Sequence, residues 1–344
     1  MKTILHISSA TTWRGAEQQI DYIINQQNSV YNQVLFAPEN SELSKKNKDK
    51  TITFKKRFGV DFLAAIQLKK LCNQNKIDLI HLHDSHAINT FIFASFFGLN
   101  IPGIIHRHVN FPIKNKCKYR FKKIQKIICV SKEVKKNFIP FIDAEKLEIV
   151  YPGIDIKKFE NDKIPKIEKN KKKFTVGIVS AIEHEKNIEE FIEIANTISS
   201  KRNDISFVII GDGSLKTIYE KKHSNIKFLG FQQNIPQQFS MFDVFLFTSK
   251  NEGFGQVLIE SMAAKVPIIT NNFAAANEII EHEKTGYIYK DVDNAVDLIQ
   301  RILTTYESRI MTTTNAFNFV QQFDITLMNK KIVNIYNSIF TNHQ

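Results

Sequence analysis

Two glutamates, Glu252 and Glu260, lie on either side of a glycine-bearing turn. The apolar run at 244–247 before them predicts a buried strand, and residues 256–264 after the turn predict a helix. Such a turn aims backbone N–H groups and the positive end of a helix dipole at an anion. Glu260 could accept hydrogen bonds from a ribose diol, and Glu252 from a second hydroxylated group. The pattern indicates a site for a nucleotide that carries a sugar, the alternative being two solvated acids at an ordinary junction between a loop and a helix.

This stretch resembles the E-x7-E signature of retaining glycosyltransferases of the GT-B fold, in particular family 4. The resemblance rests on Glu-Gly-Phe-Gly at 252–255 and Glu-Ser-Met-Ala at 260–263. Further motifs extend it over nearly the whole chain, namely Tyr-Pro-Gly-Ile-Asp at 151–155, Ile-Ile-Gly-Asp-Gly at 209–213 and Glu-Ile-Ile at 278–280. It implies two Rossmann-like domains that face each other across a cleft, with the donor held by the C-terminal domain.

The resemblance also implies roles for individual residues. Glu260 matches the acid that binds ribose, Glu252 the acid that contacts the donor sugar, and Lys186 the lysine that neutralises the diphosphate. Gly15 matches a first-domain glycine whose backbone approaches the diphosphate or acceptor, and His106 the histidine near the transferred sugar. The other implied donor contacts are the backbone of the turn and helix start, and a ring against the base: Phe254, Gly255, Gln256, Val257, Leu258 and Phe231.

The implied chemistry is glycosyl transfer with retention, described for the family as a front-face displacement in which the leaving diphosphate helps to take the acceptor proton. Positioning and charge stabilisation would then be the protein's contribution. No Asp-x-Asp motif stands out, so we expect no metal and no cofactor apart from the nucleotide-sugar donor.

Two positions depart from the family pattern. Ser180-Ala181 replaces its Gly-Arg, which removes one phosphate-binding cation, and Lys265 replaces a glycine at a helix end. Lys250 or Arg14 could supply the missing charge. Otherwise the donor affinity is lower, or the chain is a degenerate and inactive transferase.

The N-terminal half alternates strand and helix patterns, which is typical of a parallel sheet with helices on both faces. Gly15 and His83, His106 and His108 follow predicted strands. In open α/β sheets, ligands bind beyond these carboxyl ends. His81 reads as a satisfied core histidine, and His108 is a second choice after His106.

Other polar residues have an ordinary structural interpretation beside the functional one. His83 and His86 suggest a metal pair but lack a convincing third ligand, so we predict no metal site. Glu278 either contacts the donor or caps a helix. Gly211 and Gly213 fit a turn better than a phosphate cradle.

The strand–helix alternation predicts α/β domains with a break between them. A lysine-rich stretch with Pro165 interrupts it and reads as a linker, after which the alternation restarts. The last helix is expected to pack back on the first domain, as in the family that the chain resembles. The predicted boundaries are a first, acceptor-binding domain at 1–160, a linker at 161–173, a donor domain at 174–325 and the returning helix at 326–344.

Composition limits the class of protein. The chain has 344 residues, enough for two ordinary domains, and its three cysteines show no CxxC spacing. Such cysteines favour a reducing compartment without structural zinc. The first apolar run is too short for a secretory signal, and the uncharged stretch 87–105 is interrupted by Asn89, Asn100 and Pro102, so it predicts a buried helix and strand. We therefore expect a cytoplasmic or peripheral protein.

The formal net charge of +12 is concentrated between Arg107 and Lys136, where aromatic residues are interleaved with lysines. A basic amphipathic stretch here could dock on anionic lipid. A solvated helix face is the equally weighted alternative. Nucleic acid is not expected as a partner, because no binding motif accompanies the charge.

Together these observations predict a glycosyltransferase that moves a sugar, from a UDP-sugar by preference, to a glycan or lipid-linked glycan acceptor in bacterial surface polysaccharide biosynthesis, such as lipopolysaccharide or capsule. A non-catalytic nucleotide-sugar-binding homologue and a GT-B nucleotide-sugar epimerase are the alternatives. The sequence does not give the donor sugar, the base with certainty, the acceptor or the linkage.

Overall fold

The structure is a computed structural model that describes residues 1–27, 29–56, 61–159, 167–168 and 171–341. Its strands are short and mostly buried, as expected for parallel sheets covered on both faces. In chain order they are β1 (Thr3–Ile7), β2 (Asn32–Pro38), β3 (Thr51–Phe54), β4 (Leu79–Leu82), β5 (Gly103–Arg107), β6 (Ile124–Cys129), β7 (Leu147–Ile149), β8 (Phe174–Val179), β9 (Ile205–Ile210), β10 (Ile226–Phe228), β11 (Val244–Phe247), β12 (Ile268–Asn271) and β13 (Tyr287–Tyr289).

Helices alternate with these strands, because neighbouring parallel strands need a crossover between them. They are α1 (Gly15–Gln26), α2 (Glu42–Lys46), α3 (Phe62–Gln74), α4 (Ser85–Phe96), α5 (Lys132–Lys136), α6 (Ile188–Ser199), α7 (Lys216–Lys222), α8 (Ile235–Phe239), α9 (Gln256–Ala263), α10 (Ala276–Ile279), α11 (Val292–Thr304), α12 (Tyr306–Val320) and α13 (Ile325–Thr341).

The strands form two sheets in the described residues. The seven-stranded sheet has the order β3-β2-β1-β4-β5-β6-β7, and the six-stranded sheet has the order β10-β9-β8-β11-β12-β13. Neighbouring strands run parallel, for example β1 with β4 and β8 with β11. The predicted α/β class with two Rossmann-like domains is confirmed.

The chain divides into two compact units, one formed by Met1–Gly153 with Ile325–Gln344 and the other by Ile154–Asp324. The division falls earlier than the predicted boundary at 160. Ile154 bridges to Asp324, and the short turn at Ile156–Phe159 buries both of its end residues, so this segment belongs to the second unit. Most of the predicted linker, residues 161–166 and 169–170, lies outside the described residues.

Helix α13 belongs to the first unit although it ends the chain. Its buried residues Met328, Ile332 and Tyr336 recur at helical spacing and share a hydrophobic cluster with Ile4 of β1 and Ile104 of β5. A helix with one apolar stripe gains stability by burying that stripe against a sheet. This contact fixes the end of the chain on the first sheet.

The structure adds elements to those predicted. The sequence patterns did not predict β3, the short helices α2, α7, α8 and α10, or α12. The basic stretch 107–136 contains a loop, the 3-10 turn Cys117–Arg120, the core strand β6 and the helix α5. The uncharged stretch 87–105 contains most of α4 and the start of β5, and among the described residues no helix is long and apolar enough to cross a membrane.

Candidate active site

Two loops of the second unit are joined by hydrogen bonds at the carboxyl edge of its sheet. β8 and β11 are neighbouring strands, and each leads into a loop there. The buried Thr248 and Ser249 follow β11, and their hydroxyls donate to the backbone carbonyls of Lys186 (3.2 Å) and Glu185 (3.3 Å) in the loop after β8. The backbone N–H of Lys250 also donates to the Glu185 carbonyl. These hydrogen bonds hold the two loops against each other.

Lys186 and Glu252 meet at this junction. The Lys186 Nζ lies 2.6 Å from the Glu252 Oε1, and the two side chains keep 21% and 17% of their exposure. Lys186 ends the 3-10 turn His184–Lys186, and Asn187 behind it adopts a left-handed conformation with φ 50° before α6 begins. The pair therefore joins a cation and an anion at the edge of the site, where each still reaches solvent.

The turn before α9 has a left-handed residue directly before the helix start. Gly255 has φ +93°, a conformation that suits glycine, and a Cβ there would lie 3.1 Å from the Phe273 ring. Helix α9 then begins at Gln256 without a side-chain cap, so its first N–H groups are available to an anion. Phe254 does not face solvent; its ring packs edge-on against Phe323 at 5.4 Å and anchors the turn.

Glu260 lies one turn into α9 and is 7% exposed. The Nε2 of Gln256 lies 3.5 Å from its Oε1, so these two predicted donor contacts are neighbours. Val257 is partly buried and Leu258 is fully buried, and the backbone N–H of Leu258 donates to the Gly255 carbonyl at 2.9 Å. Phe231 follows the edge strand β10, separated from β11 by β9 and β8, and its ring is 54% exposed.

The Ser180-Ala181 departure lies against the glycine turn after β9. The backbone of Ile182 donates to Asp212, and a Cβ at Gly211 would come within 1.8 Å of the Ser180 carbonyl oxygen. Gly211 therefore allows two strand ends to pack closely, which supports the interpretation of this motif as a turn. Position 181 carries no cation, whereas the backbone of Lys250 is attached to the Lys186 loop.

The first unit contains a stack of five histidines that sequence reasoning recognised only in part. His6 on β1, His81 and His83 at the end of β4, and His106 and His108 at the end of β5 come from neighbouring strands. Ring centroids lie 4.2 Å apart for His81 and His83 and 4.1 Å apart for His106 and His108. The missed signal was a histidine in or just after each of three strands that the fold makes adjacent.

Burial keeps these imidazoles neutral. It lowers the pKa of His6 to about 4 and that of His108 to about 3, and it lowers the pKa values of His81, His83 and His106 well below the ordinary value. The neighbouring histidines lower these last three further. A neutral imidazole keeps one lone pair for a hydrogen bond or a metal.

Two groups of three histidines in the described residues bring one ring nitrogen each within 4.8 Å of the others: His6, His81 and His83, and His83, His106 and His108. Neither group contains His86, so the predicted His83–His86 pair is not the arrangement found. The His6 Nδ1 and His83 Nε2 are 3.0 Å apart and engage each other in a hydrogen bond, while the His106 Nδ1 is buried without a hydrogen-bond partner.

Gly15 is the exposed first residue of α1, directly after Arg14, whose backbone N–H donates to the Glu17 carboxyl at 3.0 Å. Burial raises the pKa of Glu17 to about 7. The structure thus places Gly15 at the start of the helix that follows β1.

Two parallel-sheet units, with a glycine turn and paired charges at the edge of the second sheet, are the architecture of a GT-B glycosyltransferase. Residues 13–158 match the family model described as Glycosyltransferase Family 4, and residues 159–319 match that described as Glycosyl transferases group 1. The chain belongs to the family 4 glycosyltransferases, in agreement with the resemblance carried by its motifs.

Among curated relatives, the UDP-Gal:alpha-D-GlcNAc-diphosphoundecaprenol alpha-1,3-galactosyltransferase of Escherichia coli is 26% identical over 316 residues, which cover 82% of this chain and 81% of the relative. The O-antigen biosynthesis glycosyltransferase WclY of Escherichia coli is 26% identical over 227 residues, 62% of each chain. Among solved structures, HepE of Anabaena in complex with UDP and glucose superposes with a TM-score of 0.84 and 19% identity, covering 98% of this chain and 100% of HepE.

Proposed function

We propose that this protein moves one sugar from a UDP-sugar to a glycan or lipid-linked glycan acceptor, with retention at the anomeric carbon. The observation that carries the proposal is the Lys186–Glu252 pair, fastened beside the Gly255 turn and the start of α9. A cation, a free helix start and two carboxylates suit a diphosphate flanked by two sugars.

In this proposal the donor diphosphate lies at the start of α9, where its charge is stabilised by the helix dipole and Lys186. Glu260 accepts from the ribose hydroxyls and Glu252 from those of the transferred sugar. The bond from the anomeric carbon to the diphosphate breaks, and the acceptor oxygen bonds to that carbon on the same face. The acceptor proton passes to the departing phosphate oxygen, so the protein needs no covalent nucleophile.

Retention is tested by the product. The expected result is that the anomeric configuration of the donor persists in the purified product, as read from the coupling constant of its anomeric proton by NMR. An inverted product would refute the front-face scheme, because displacement from the opposite face needs a protein base instead.

The preference for UDP is supported by the UDP-Gal donor named for the galactosyltransferase relative and by the UDP bound to HepE. The exposed ring of Phe231 is suited to stack on a base. A thermal-shift screen with UDP, GDP, ADP and CMP tests this, because a ligand at one hundred times its Kd stabilises by about 2.7 kcal/mol. We expect a shift with UDP that Glu260→Ala abolishes and the exposed-site control Glu281→Ala preserves. A shift with another nucleotide alone would overturn the UDP assignment.

Metal independence is part of the proposal, because Lys186 and the helix dipole supply positive charge where a metal would. We expect transfer to persist after dialysis against EDTA. Loss of transfer, restored by a divalent cation, would contradict this and would direct attention to the histidine groups of the first unit.

The proposed acceptor class is supported by the relatives, whose names refer to O-antigen biosynthesis and to a diphosphoundecaprenol-linked sugar. We propose that this chain likewise extends a surface glycan at the cytoplasmic face of a membrane. Incubation with UDP-[14C]galactose and a panel of lipid-linked sugars is expected to give a radiolabelled lipid product. Transfer only to soluble sugars would reject the lipid-linked acceptor.

A peripheral contact with an anionic membrane through 107–136 is supported by the surface around this stretch. Lys114, Lys116 and Lys122 are exposed there. The Phe121 ring contacts Phe96, which is 74% exposed on α4. Exposed aromatic rings beside lysines suit a lipid interface, where each cation contributes about 1 kcal/mol.

Sedimentation with phosphatidylglycerol vesicles tests this contact. We expect salt-sensitive binding that Lys122→Glu with Lys123→Glu weakens, whereas the adjacent pair Lys221→Glu with Lys222→Glu on α7 is the matched control. Equal binding by both double variants would refute a role for this surface.

A non-catalytic nucleotide-sugar-binding protein is the second candidate, favoured by Ala181 in place of an arginine. The backbone link between Lys250 and the Lys186 loop supports Lys250 as the replacement cation. Release of UDP in the presence of acceptor decides between the two candidates. Donor binding without UDP release from any acceptor would favour the non-catalytic function.

A further inference from the structure

A chain of side-chain hydrogen bonds runs through the first unit from α13 to the end of β5. Its direction, meaning which partner donates in each hydrogen bond, is fixed at the α13 end. The Asn329 Nδ2 donates to the backbone carbonyl of Ile325 at 2.9 Å. A carbonyl oxygen only accepts, so the amide of Asn329 must present its oxygen to the other side. The Gln27 Nε2 donates to that oxygen at 3.1 Å.

The next two contacts carry the direction into the sheet. Because Gln27 presents its Nε2 to Asn329, its Oε1 faces Gln33, whose Nε2 donates to it at 3.4 Å. The Oε1 of Gln33 therefore faces the His6 Nε2, 2.7 Å away. An amide oxygen cannot donate, so the His6 Nε2 carries the hydrogen and the His6 Nδ1 carries a lone pair.

The same logic orients the two following imidazoles. The His83 Nε2 lies 3.0 Å from the His6 Nδ1 and must donate to it, which leaves the His83 Nδ1 as an acceptor. The His108 Nε2 lies 3.3 Å from that Nδ1 and donates in turn. The ring planes are nearly parallel, at 17° for His6 with His83 and 26° for His83 with His108, and the ring centroids lie 5.3 Å and 5.5 Å apart.

The chain can keep one direction only if its histidines carry a single hydrogen each. Burial keeps His6, His83 and His108 neutral at physiological pH by lowering their pKa values. The two glutamines and Asn329 are buried as well, so water does not offer them alternative partners. An amide flip at any one point would leave two acceptors or two donors facing each other, which is costly in a buried site.

We propose that Asn329, Gln27, Gln33, His6 and His83 are positioning residues that hold His108 as its Nε2–H tautomer. The Nδ1 lone pair of His108 is thereby presented as a hydrogen-bond acceptor for a sugar hydroxyl beyond the end of β5. Reversing the chain would place a hydrogen on Nδ1, so that His108 would donate to a hydroxyl oxygen and could no longer accept from the hydroxyl at that nitrogen. The hydroxyl partner rests on the proposed transferase function, whereas the tautomer of His108 does not.

Long-range 15N–1H correlation spectra of the 15N-histidine-labelled full chain read the tautomer directly, because protonated and unprotonated ring nitrogens resonate far apart. Single histidine substitutions assign the signals of the ten histidines. We expect His6, His83 and His108 to have an unprotonated Nδ1 at pH 7.5. A protonated Nδ1 on His108 in the wild type would overturn the proposal, whether or not the protein transfers sugar.

Gln33→Met removes the acceptor that fixes His6 while keeping a similar volume. We expect the His108 tautomer to change and kcat to fall about tenfold, the equivalent of one hydrogen bond. Gln19→Met is the control, since Gln19 is equally buried but bonds only to the backbone of Gly153.

The outcomes separate the two proposals. If the Gln33→Met variant folds, as judged by circular dichroism and melting, its His108 tautomer is compared with that of the wild type. An unchanged tautomer would show that the chain of hydrogen bonds does not act as a relay, that is, it does not set the tautomer of His108. If the variant does not fold, the wild-type spectrum alone still decides the tautomer. If all tautomers are as expected but no acceptor is ever glycosylated, the proposed function fails and the relay remains.

Discussion

Lys186 and Glu252 are expected to have opposite effects on nucleotide binding, although they form one ion pair. Lys186 faces the proposed diphosphate, and a charged hydrogen bond of this kind contributes about 1.5 to 3 kcal/mol. Lys186→Met is therefore expected to weaken UDP binding roughly 10- to 150-fold. Glu252 holds the same ammonium at 2.6 Å and adds a negative charge beside the phosphates. Glu252→Gln frees the lysine and removes that repulsion, so UDP should bind about fivefold more tightly, an effect of about 1 kcal/mol.

Isothermal titration calorimetry with UDP measures these changes in the two single variants and the double variant. Glu252→Gln should also lower transfer strongly, because the sugar hydroxyls lose a charged acceptor, so nucleotide affinity and turnover move in opposite directions. Lys284→Met is the matched control, because Lys284 pairs with Glu281 at 2.9 Å on the surface with both side chains 60% exposed. It should change neither quantity.

The double variant also measures the coupling within the pair. With 21% and 17% exposure, the pair lies between a surface ion pair and a buried one. In a double-mutant cycle on the free energy of unfolding in urea, the coupling energy between Lys186 and Glu252 should be about 1 to 2 kcal/mol. If Glu252→Gln weakened UDP binding as much as Lys186→Met does, the two residues would act as one binding unit and the proposed division of roles would be wrong.

Three further predictions concern the turn and the buried titratable groups. Gly255→Ala should abolish the UDP-dependent thermal shift, because its Cβ would lie 3.1 Å from Phe273 at φ +93°; an unchanged shift would show that the turn does not shape the site. Below pH 6.5 the unfolded chain protonates His6 and His108, whereas their folded pKa values of about 4 and about 3 keep them neutral in the native protein. Each histidine should therefore lower the free energy of unfolding by about 1.4 kcal/mol per pH unit as the pH falls. An equal free energy of unfolding in urea at pH 7 and at pH 5 would contradict this. Glu17 has the opposite effect on the pH dependence of stability, because folding raises its pKa from 4.5 to about 7. Its contribution to the free energy of unfolding is present below pH 4.5 and is lost as the pH rises to 7. Glu17→Gln should therefore reduce the loss of stability between these pH values, by no more than about 3 kcal/mol, and an unchanged pH profile would show that Glu17 ionises freely.

Local patterns were sufficient to predict much of the second unit from the sequence. The bounds of β9, β11 and α11 agree with the apolar runs and helical periodicity, because each of these segments buries the side chains that its own pattern marks as apolar. The short helices and α12 lacked such a pattern. Helix α12 is only weakly amphipathic, and it packs against the preceding helix α11 and against α9, which lies far from it in the chain.

The candidate site divides in the same way. Glu252, Gly255 and Glu260 belong to one continuous motif, so their spacing alone predicts a strand, a turn and a helix start that can face an anion. The pairing of Glu252 with Lys186 joins residues from two loops, and only the adjacency of β8 and β11 brings those loops together. The sequence resemblance named both residues but could not show that they neutralise each other.

The histidines show most clearly what the sequence determined and what only the tertiary structure decided. The sequence placed His83, His106 and His108 at strand ends, because apolar runs stop there. It gave no reason to connect them with His6, Gln33 or Asn329, which lie in distant segments. The sheet order puts β4 between β1 and β5, and α13 returns to the same unit, so hydrogen bonds can run from Asn329 to His108. Strand order and the return of a terminal helix depend on long-range packing, which is why the directed chain exists only in the folded protein.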